Sequence, residues 1–271
     1  MSDPRLTRRQ VTRLGSAGRV RVEDAIAAEG ALEIRIGGRT LAVTLRTPGN
    51  DEELVLGFLA GEDLIRSAAD IAALRLESAT CEGQPDTAQV TLAAGVALDW
   101  SRLERHFTAT SACGLCGRAH LDALRAAVAP MPACAPITAA ALQAMPARVA
   151  GAQPTFAATG GLHAAAYCAG EGLEVEAIHE DVGRHNAVDK VCGWLLGRHR
   201  YPAEGGVLWV SGRAGAEIVL KCARARIPVL AAVGAPSSLA VELAERAGMT
   251  LIGFLREDRM NVYSGLERVA G

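Results

Sequence analysis

The 271-residue sequence lacks any stretch approaching the roughly 20 consecutive apolar residues that a bilayer-spanning helix requires, so a membrane protein is not expected. An excess of one charge is also missing. Twenty-eight basic residues against 30 acidic ones leave a formal charge of -2, which gives no bulk field for nucleic acid or an acidic membrane surface. Any anionic ligand must therefore be held locally. The basic start, with Arg5, Arg8, Arg9 and Arg13, is followed by neither an apolar run nor a small-residue cleavage site. It does not read as a secretory signal, and residues 1–20 are expected to form a flexible or partner-binding arm. Neither G-x-G-x-x-G nor G-x-x-x-x-G-K-[ST] occurs, so the two best-known phosphate fingerprints are absent. Internal repeats and low-complexity tracts are absent as well. The seven cysteines, at 81, 113, 116, 134, 168, 192 and 222, are odd in number and lack the spacing of a disulfide framework, which suits a reducing, cytoplasmic setting.

Half of the residues are apolar, ample for a buried core in one large domain or two modest ones. The alternation of Ile34, Ile36, Leu41, Val43 and Leu45 around Gly37-Gly38 predicts a β-hairpin over 32–47. A helix should follow, capped by Asn50 or Asp51, with Glu52 and Glu53 at its positive end and Leu54, Phe58 and Leu59 on its apolar face. Two short strands are expected at Ala73–Leu76 and Ala88–Leu92, completing a small α+β unit over 21–128 that ends in the C-x-x-C loop and a helix. The Pro/Ala-rich segment 129–154 is the candidate junction. Beyond it, over 155–271, apolar runs at 156–168, 207–210, 229–233 and 250–255 alternate with helical patterns at 185–197, 215–225 and 237–247. That order predicts a mainly parallel sheet covered by helices, with ligands at the carboxyl ends of its strands.

Cys113 and Cys116 form a C-x-x-C in Ser111-Ala-Cys-Gly-Leu-Cys-Gly117, just before a helical pattern and next to Arg118. A helix amino terminus and an adjacent cation both stabilise a thiolate, the form that attacks or accepts sulfur. A structural zinc site would need two further ligands that the sequence does not offer at suitable spacing. A disulfide-exchange motif and a persulfide carrier both need an exposed, activated thiolate, and the spacing alone leaves that choice open. Cys168, Cys192 and Cys222 fall in apolar or helical patterns and read as core residues, whereas Cys81 and Cys134 read as loop thiols.

Three loops of the second half invite an anion. Ser211-Gly-Arg-Ala-Gly215 is a small-residue turn that opens a helix, where backbone N–H groups and Arg213 can meet phosphate oxygens. Gly234-Ala-Pro-Ser-Ser238 repeats that pattern with Ser237 or Ser238 as cap, and Phe254-Leu-Arg-Glu-Asp-Arg-Met-Asn261 carries two more arginines. His163 is presented after Gly160-Gly161. His179 to Lys190 holds seven ionisable side chains in twelve positions and reads equally as a site or as a solvated helix start, with His185 and Asp189 one turn apart as a potential pair. Glu217 and Lys221 are likewise ordered for an i,i+4 pair.

Five of these segments, in order, carry a resemblance: Ser111–Gly117, Thr159-Gly-Gly-Leu-His-Ala-Ala165, Glu180 to Lys190, Ser211-Gly-Arg213 and Gly253 to Tyr263 resemble the FdhD/NarQ family of formate dehydrogenase accessory sulfurtransferases from about residue 20 onward. The resemblance implies a cytoplasmic sulfur carrier. It would take sulfur from a cysteine desulfurase as a persulfide on Cys113, with Cys116 as helper, and pass it to a molybdenum or tungsten bis-guanine-dinucleotide pterin destined for formate dehydrogenase. By the same likeness Phe254, Leu255, Arg256, Glu257, Asp258 and Arg259 bind that cofactor, to which the loop chemistry adds Arg213 and His163. The implied larger domain is a cytidine-deaminase-like three-layer α/β/α fold beside a smaller N-terminal α+β subdomain, and the implied assembly is a homodimer. No histidine here is followed two positions on by glutamate, so the zinc and the deamination of that fold are not expected, and no structural metal is. Two alternatives share the residues: a non-catalytic cofactor chaperone and a thiol-disulfide oxidoreductase.

Overall fold

The computed structural model describes residues 3–16, 18–81, 83–98, 100 and 128–271. Cys113, Cys116 and the helical pattern after them lie outside the described residues. The basic start is not a bare arm. Strands β1 (Leu6–Gly15) and β2 (Gly18–Ala27) pair residue for residue from Leu6 opposite Ala27 to Gly15 opposite Gly18, so the boundary expected at residue 20 falls inside a two-stranded ribbon. Arg8, Arg9 and Arg13 lie on β1, with Arg5 just before it.

The predicted hairpin is present as β3 (Gly30–Ile36) and β4 (Arg39–Arg46). Gly37 and Gly38, with φ of 57° and 81°, supply the left-handed turn that joins two right-twisted strands. β5 (Ile71–Glu77) and β6 (Asp86–Leu92) complete a four-stranded sheet in the order β4-β3-β6-β5, with β3 and β6 parallel. Leu32, Ile34 and Ile36 point to one face, where they bury against Leu54, Val55 and Leu59 of helix α1 (Asp51–Gly61). Asn50 stands at the start of α1 in a left-handed conformation, and its side chain does not cap the helix. It turns the chain instead, a conformation that asparagine tolerates better than most residues. Asp51 is drawn away from capping by Arg46, whose buried guanidinium meets both Asp51 (2.9 Å) and Asp86 (2.5 Å) and so ties β4, α1 and β6 together.

The segment expected as a junction holds a strand, β7 (Ile137–Thr138), and helix α2 (Ala139–Ala150), capped by Thr138 and buried through Leu142, Met145 and Val149. Its alanines and prolines masked that spacing. Phe156, expected to begin a strand, lies in the short helix α3 (Pro154–Thr159), whose first N–H groups are taken by the Glu180 carboxylate. Then come β8 (His163–Ala169), β9 (Glu174–Asp181), α4 (Arg184–Gly197), β10 (Val207–Val210), α5 (Ala216–Arg224), β11 (Val229–Ala232), α6 (Ser238–Ala247), β12 (Thr250–Gly253) and β13 (Asn261–Ser264), with a last short strand β14 (Val269–Ala270) beside β7. The six-stranded sheet has the order β13-β12-β11-β10-β8-β9. Only β10, β11 and β12 are parallel, so the sheet is mixed rather than mainly parallel. Alternate residues face opposite layers: Ala165, Tyr167, Leu208 and Leu230 meet α4, α5 and α6, while Ala166, Cys168, Trp209 and Ala231 meet α2. Among the described residues no helix is long and apolar enough to cross a membrane.

The two sheets are joined through α1 and α4. A Cβ on Gly57 would fall inside the Asp189 carbonyl, and one on Gly193 would fall inside that of Glu53, so the two helices touch backbone to backbone. Gly57→Ala should force them apart and cost about 3 kcal/mol or more, the upper range of overpacking, measurable as a fall in the urea midpoint.

Candidate functional site

Because β10, β11 and β12 run parallel, the three loops singled out in the sequence leave the sheet at one edge. Backbone hydrogen bonds continue across these loops beyond the strands. Gly234 N donates to Gly212 O (2.9 Å), and Phe254 N donates to Gly234 O (3.1 Å). Ala214 N reaches Ala235 O, and Ser237 N returns to Ala214 O. The result is a stitched rim. A Cβ on Gly234 would approach Gly212 O at 2.8 Å and Arg213 Cα at 3.0 Å, which explains why glycine is required where the loops touch.

Strand β8 runs antiparallel to β10, and its first residue, His163, therefore arrives at the same edge. Ser211 fixes the junction: its N–H donates to Ala164 O, and its hydroxyl accepts from Ala164 N. The imidazole lies over Gly212, where an added Cβ would sit 3.4 Å from His163 Nδ1 and 4.0 Å from Arg184 Cδ. Burial, then the charges of Arg184 and His185, hold the His163 pKa below its ordinary value, so the ring is a neutral hydrogen-bonding group at neutral pH.

The first turn of α4 thus joins the rim, in a segment that the sequence left open between a site and a solvated helix start. β9 ends beside His163, and α4 begins three residues later. His185 Nε2 meets Glu217 at 3.0 Å across the mouth between α4 and α5, and this hydrogen bond keeps the Glu217 carboxyl low. The i,i+4 partners suggested by spacing are not the partners formed. Asp189 and Lys221 pair with each other at 2.6 Å, both buried, with Glu62 of the loop after α1 at 3.7 Å from Lys221. Burial pushes Asp189 up to about 6 against the pull of Lys221, so the pair is ionised at neutral pH. Burial opposes the Lys221 charge too, yet Asp189 and Glu62 outweigh it and raise its pKa.

The charge-dense segment is a buried seam rather than a solvated helix start. Asp181, fully buried, receives Thr47 N (3.1 Å), Gly183 N (2.8 Å), Asn186 Nδ2 (3.0 Å) and the Lys190 ammonium (2.7 Å). Asn186 also donates to Leu45 O and Lys190 to Thr47 O, so the end of β4 is clamped to the start of α4. That clamp holds Arg184 and His185 at the rim.

Of the residues expected to meet a ligand, Arg213, Phe254, Arg256, Glu257, Asp258 and Arg259 are exposed along the rim. Leu255 is fully buried and anchors its segment in the core instead of contacting solvent. Arg256 is partly committed, since its Nη1 donates to Val233 O and Leu255 O, both at 2.8 Å. Cys168, Cys192 and Cys222 are buried as expected, and burial pushes the first two thiols up to about 12. They are inert beside an activated thiolate. Among the described residues no group of three His, Cys, Asp or Glu side chains is placed to hold a metal ion.

Comparison with known proteins is consistent along the whole chain. The pattern defining the FdhD/NarQ family matches residues 27–270. The sulfur carrier protein FdhD of Nocardia farcinica is 49% identical over 271 residues, covering 99% of this chain and 96% of that protein. The protein of the same name from Mycobacterium tuberculosis is 45% identical over 269 residues, covering 96% and 97%. A crystal structure from Desulfotalea psychrophila, assigned as a formate dehydrogenase accessory protein, superposes with a TM-score of 0.76 at 26% identity, covering 98% of this chain and all of that one.

Lys221→Met should remove the cation that holds Asp189 down, so that the buried carboxyl takes up a proton and loses its charge-assisted bond, at a cost of about 3–5 kcal/mol, whereas Lys221→Met with Asp189→Leu should recover most of that loss in chemical denaturation. A second prediction concerns His179, which burial holds at about 4 against an ordinary 6.5. The unfolded chain binds this proton first, so the contribution is complete above pH 6.5 and is lost as pH falls toward 4. Across that window His179→Leu should lose about 3 kcal/mol less stability than the parent, read from urea midpoints at each pH.

Proposed function

This chain belongs to the FdhD/NarQ family, and we propose that it is a sulfur carrier that serves formate dehydrogenase. The observation that carries the reading is the stitched rim, where His163, Arg213, Arg256 and Arg259 stand together at the carboxyl edge of three parallel strands. Exposed arginines, a neutral imidazole and backbone N–H groups suit the phosphates of a large nucleotide-bearing ligand. The ligand proposed is the bis-guanine-dinucleotide pterin carrying molybdenum or tungsten, as the substrate that accepts sulfur. The sheet with helices on both faces supports the cytidine-deaminase-like assignment, with the four-stranded sheet and α1 as the smaller subdomain.

The sulfur is carried by Cys113. Its thiolate attacks the outer sulfur of a persulfide on the cysteine desulfurase; the new S–S bond forms as the donor's thiolate leaves, so no net oxidation occurs and Cys113 holds the persulfide. Cys116 stabilises or resolves it. The chain acts as a sulfurtransferase in this scheme: when the Cys116 thiolate attacks Cys113 Sγ, a Cys113–Cys116 disulfide forms and the outer sulfur leaves with the bonding pair as hydrosulfide for the cofactor bound at the rim, before that cofactor enters formate dehydrogenase. An external dithiol reduces the disulfide. The described cysteines, all free thiols, support the cytoplasm as the setting. A homodimer is the proposed assembly.

Intact mass after incubation with desulfurase and cysteine should show the gain of one sulfur, absent in Cys113→Ala and retained in part in Cys116→Ala. Cys113→Ala should also abolish sulfuration in a coupled formate dehydrogenase assay; full activity in that variant would overturn the assignment.

A further inference from the structure

Glu217 is out of place in a rim suited to phosphates. It stands in the first turn of α5, directly after the Ser211–Gly215 turn, where a carboxylate repels the anion that backbone N–H groups and Arg213 would hold. Its service to the helix dipole is small at 66% exposure, and an exposed ion pair adds little stability. What Glu217 holds is a ring on the neighbouring helix, His185, whose Nε2 meets its carboxylate at 3.0 Å. A nitrogen that donates to a carboxylate carries the proton, so Nδ1 is left with the basic lone pair. The His185 side chain is 33% exposed, and solvent can take a proton from it. The other charged or titratable groups around the ring are Arg184 and Asp189 on its own helix, His163 on β8 and Lys221 on α5. Asp189 is bonded to Lys221. Burial and the charges of Arg184 and His185 oppose protonation of His163, which leaves His185 as the ring with a carboxylate to balance a gained proton.

An imidazole oriented by a carboxylate is the arrangement of a general base, since the carboxylate fixes the tautomer and balances the imidazolium that forms. Sulfur transfer needs such a base. Hydrosulfide reaches the rim with a proton that it must lose to become a bound sulfide. We propose that His185 is the general base that takes this proton and that Glu217 is its positioning residue. The S–H bond breaks and its electron pair stays on sulfur, which forms the bond to the metal of the acceptor. The proton passes to His185 Nδ1 and then to solvent, so nothing is oxidised or reduced in the step. This rests on the reading of the chain as a sulfur carrier and adds the group that accepts the proton.

The test uses the full chain loaded with persulfide, with the molybdenum bis-guanine-dinucleotide cofactor as acceptor, and follows a single turnover of sulfuration across pH. The parent rate should rise with pH along an acid limb as the base loses its proton. His185→Gln should slow transfer about a hundredfold or more, while intact mass shows persulfide loading equal to that of the parent. Glu217→Gln keeps an acceptor for Nε2 and removes the charge. It should slow transfer roughly tenfold and move the acid limb to lower pH, because the imidazolium loses its counter-charge. Neither change leaves a buried charge, so both variants should melt with the parent. Parental rate in His185→Gln, an unmoved acid limb in Glu217→Gln, or loss of persulfide loading in either variant would each overturn the inference while the sulfur-carrier reading stands. A parent that takes up no sulfur from the desulfurase overturns that reading, and this inference with it.

Discussion

Everything at the rim depends on one close contact, the crossing of α1 and α4 at Gly57 and Gly193. With no side chains between them, the two helices approach until backbone atoms meet. Carbonyl and amide groups of one helix then lie within reach of the polar side chains of the next, and the seam becomes a place where charge must be buried. Lys221 with Asp189, and Lys190 with Asp181, are the answer to that constraint. A buried pair of this kind contributes little net stability, but each misplaced register leaves a charge without a partner, so the arrangement selects one docking of the four-stranded sheet on the larger unit.

That docking sets the position of the site. Asp181 is both the last residue of β9 and the acceptor for Thr47 at the end of β4, and the same carboxylate receives the N–H of Gly183 just before α4. The start of α4 is therefore located by the N-terminal unit, although its side chains act at the edge of the other sheet. His163, Arg184, His185 and Glu217 come together only because β9 and β10 end, and β8 and two helices begin, at one edge.

Much of this was legible in the sequence, and the limits have physical causes. The hairpin around Gly37-Gly38, the helix after it and the helices between β10, β11 and β12 follow from periodicity and turn chemistry, which act locally. Strand β9 was missed because Glu174, Glu176, His179 and Glu180 break its apolar pattern, and it lies at the edge of the sheet where polar residues are tolerated. The ion pairs were misjudged because spacing along a helix favours His185 with Asp189 and Glu217 with Lys221, while tertiary packing exchanged the partners. The convergence of the three loops was anticipated from strand order. Leu255 shows the limit of that approach, for an apolar residue in a segment expected to face a ligand proves to be the peg that fixes the segment.

The rim itself is built from main-chain hydrogen bonds and glycine contacts, with the fixed points supplied by Ser211 and Leu255 below the surface. Its shape is thus largely independent of the side chains that project from it. Exposed positions such as Arg213, Glu257, Asp258 and Arg259 can change at little cost to folding, so the charge that the rim presents can be altered on an unchanged frame. Gly234 and Gly253 beneath have no such latitude, since a side chain there would strike Gly212 and Arg213 or Pro236 and Tyr263, and drift at those two positions would distort the frame itself.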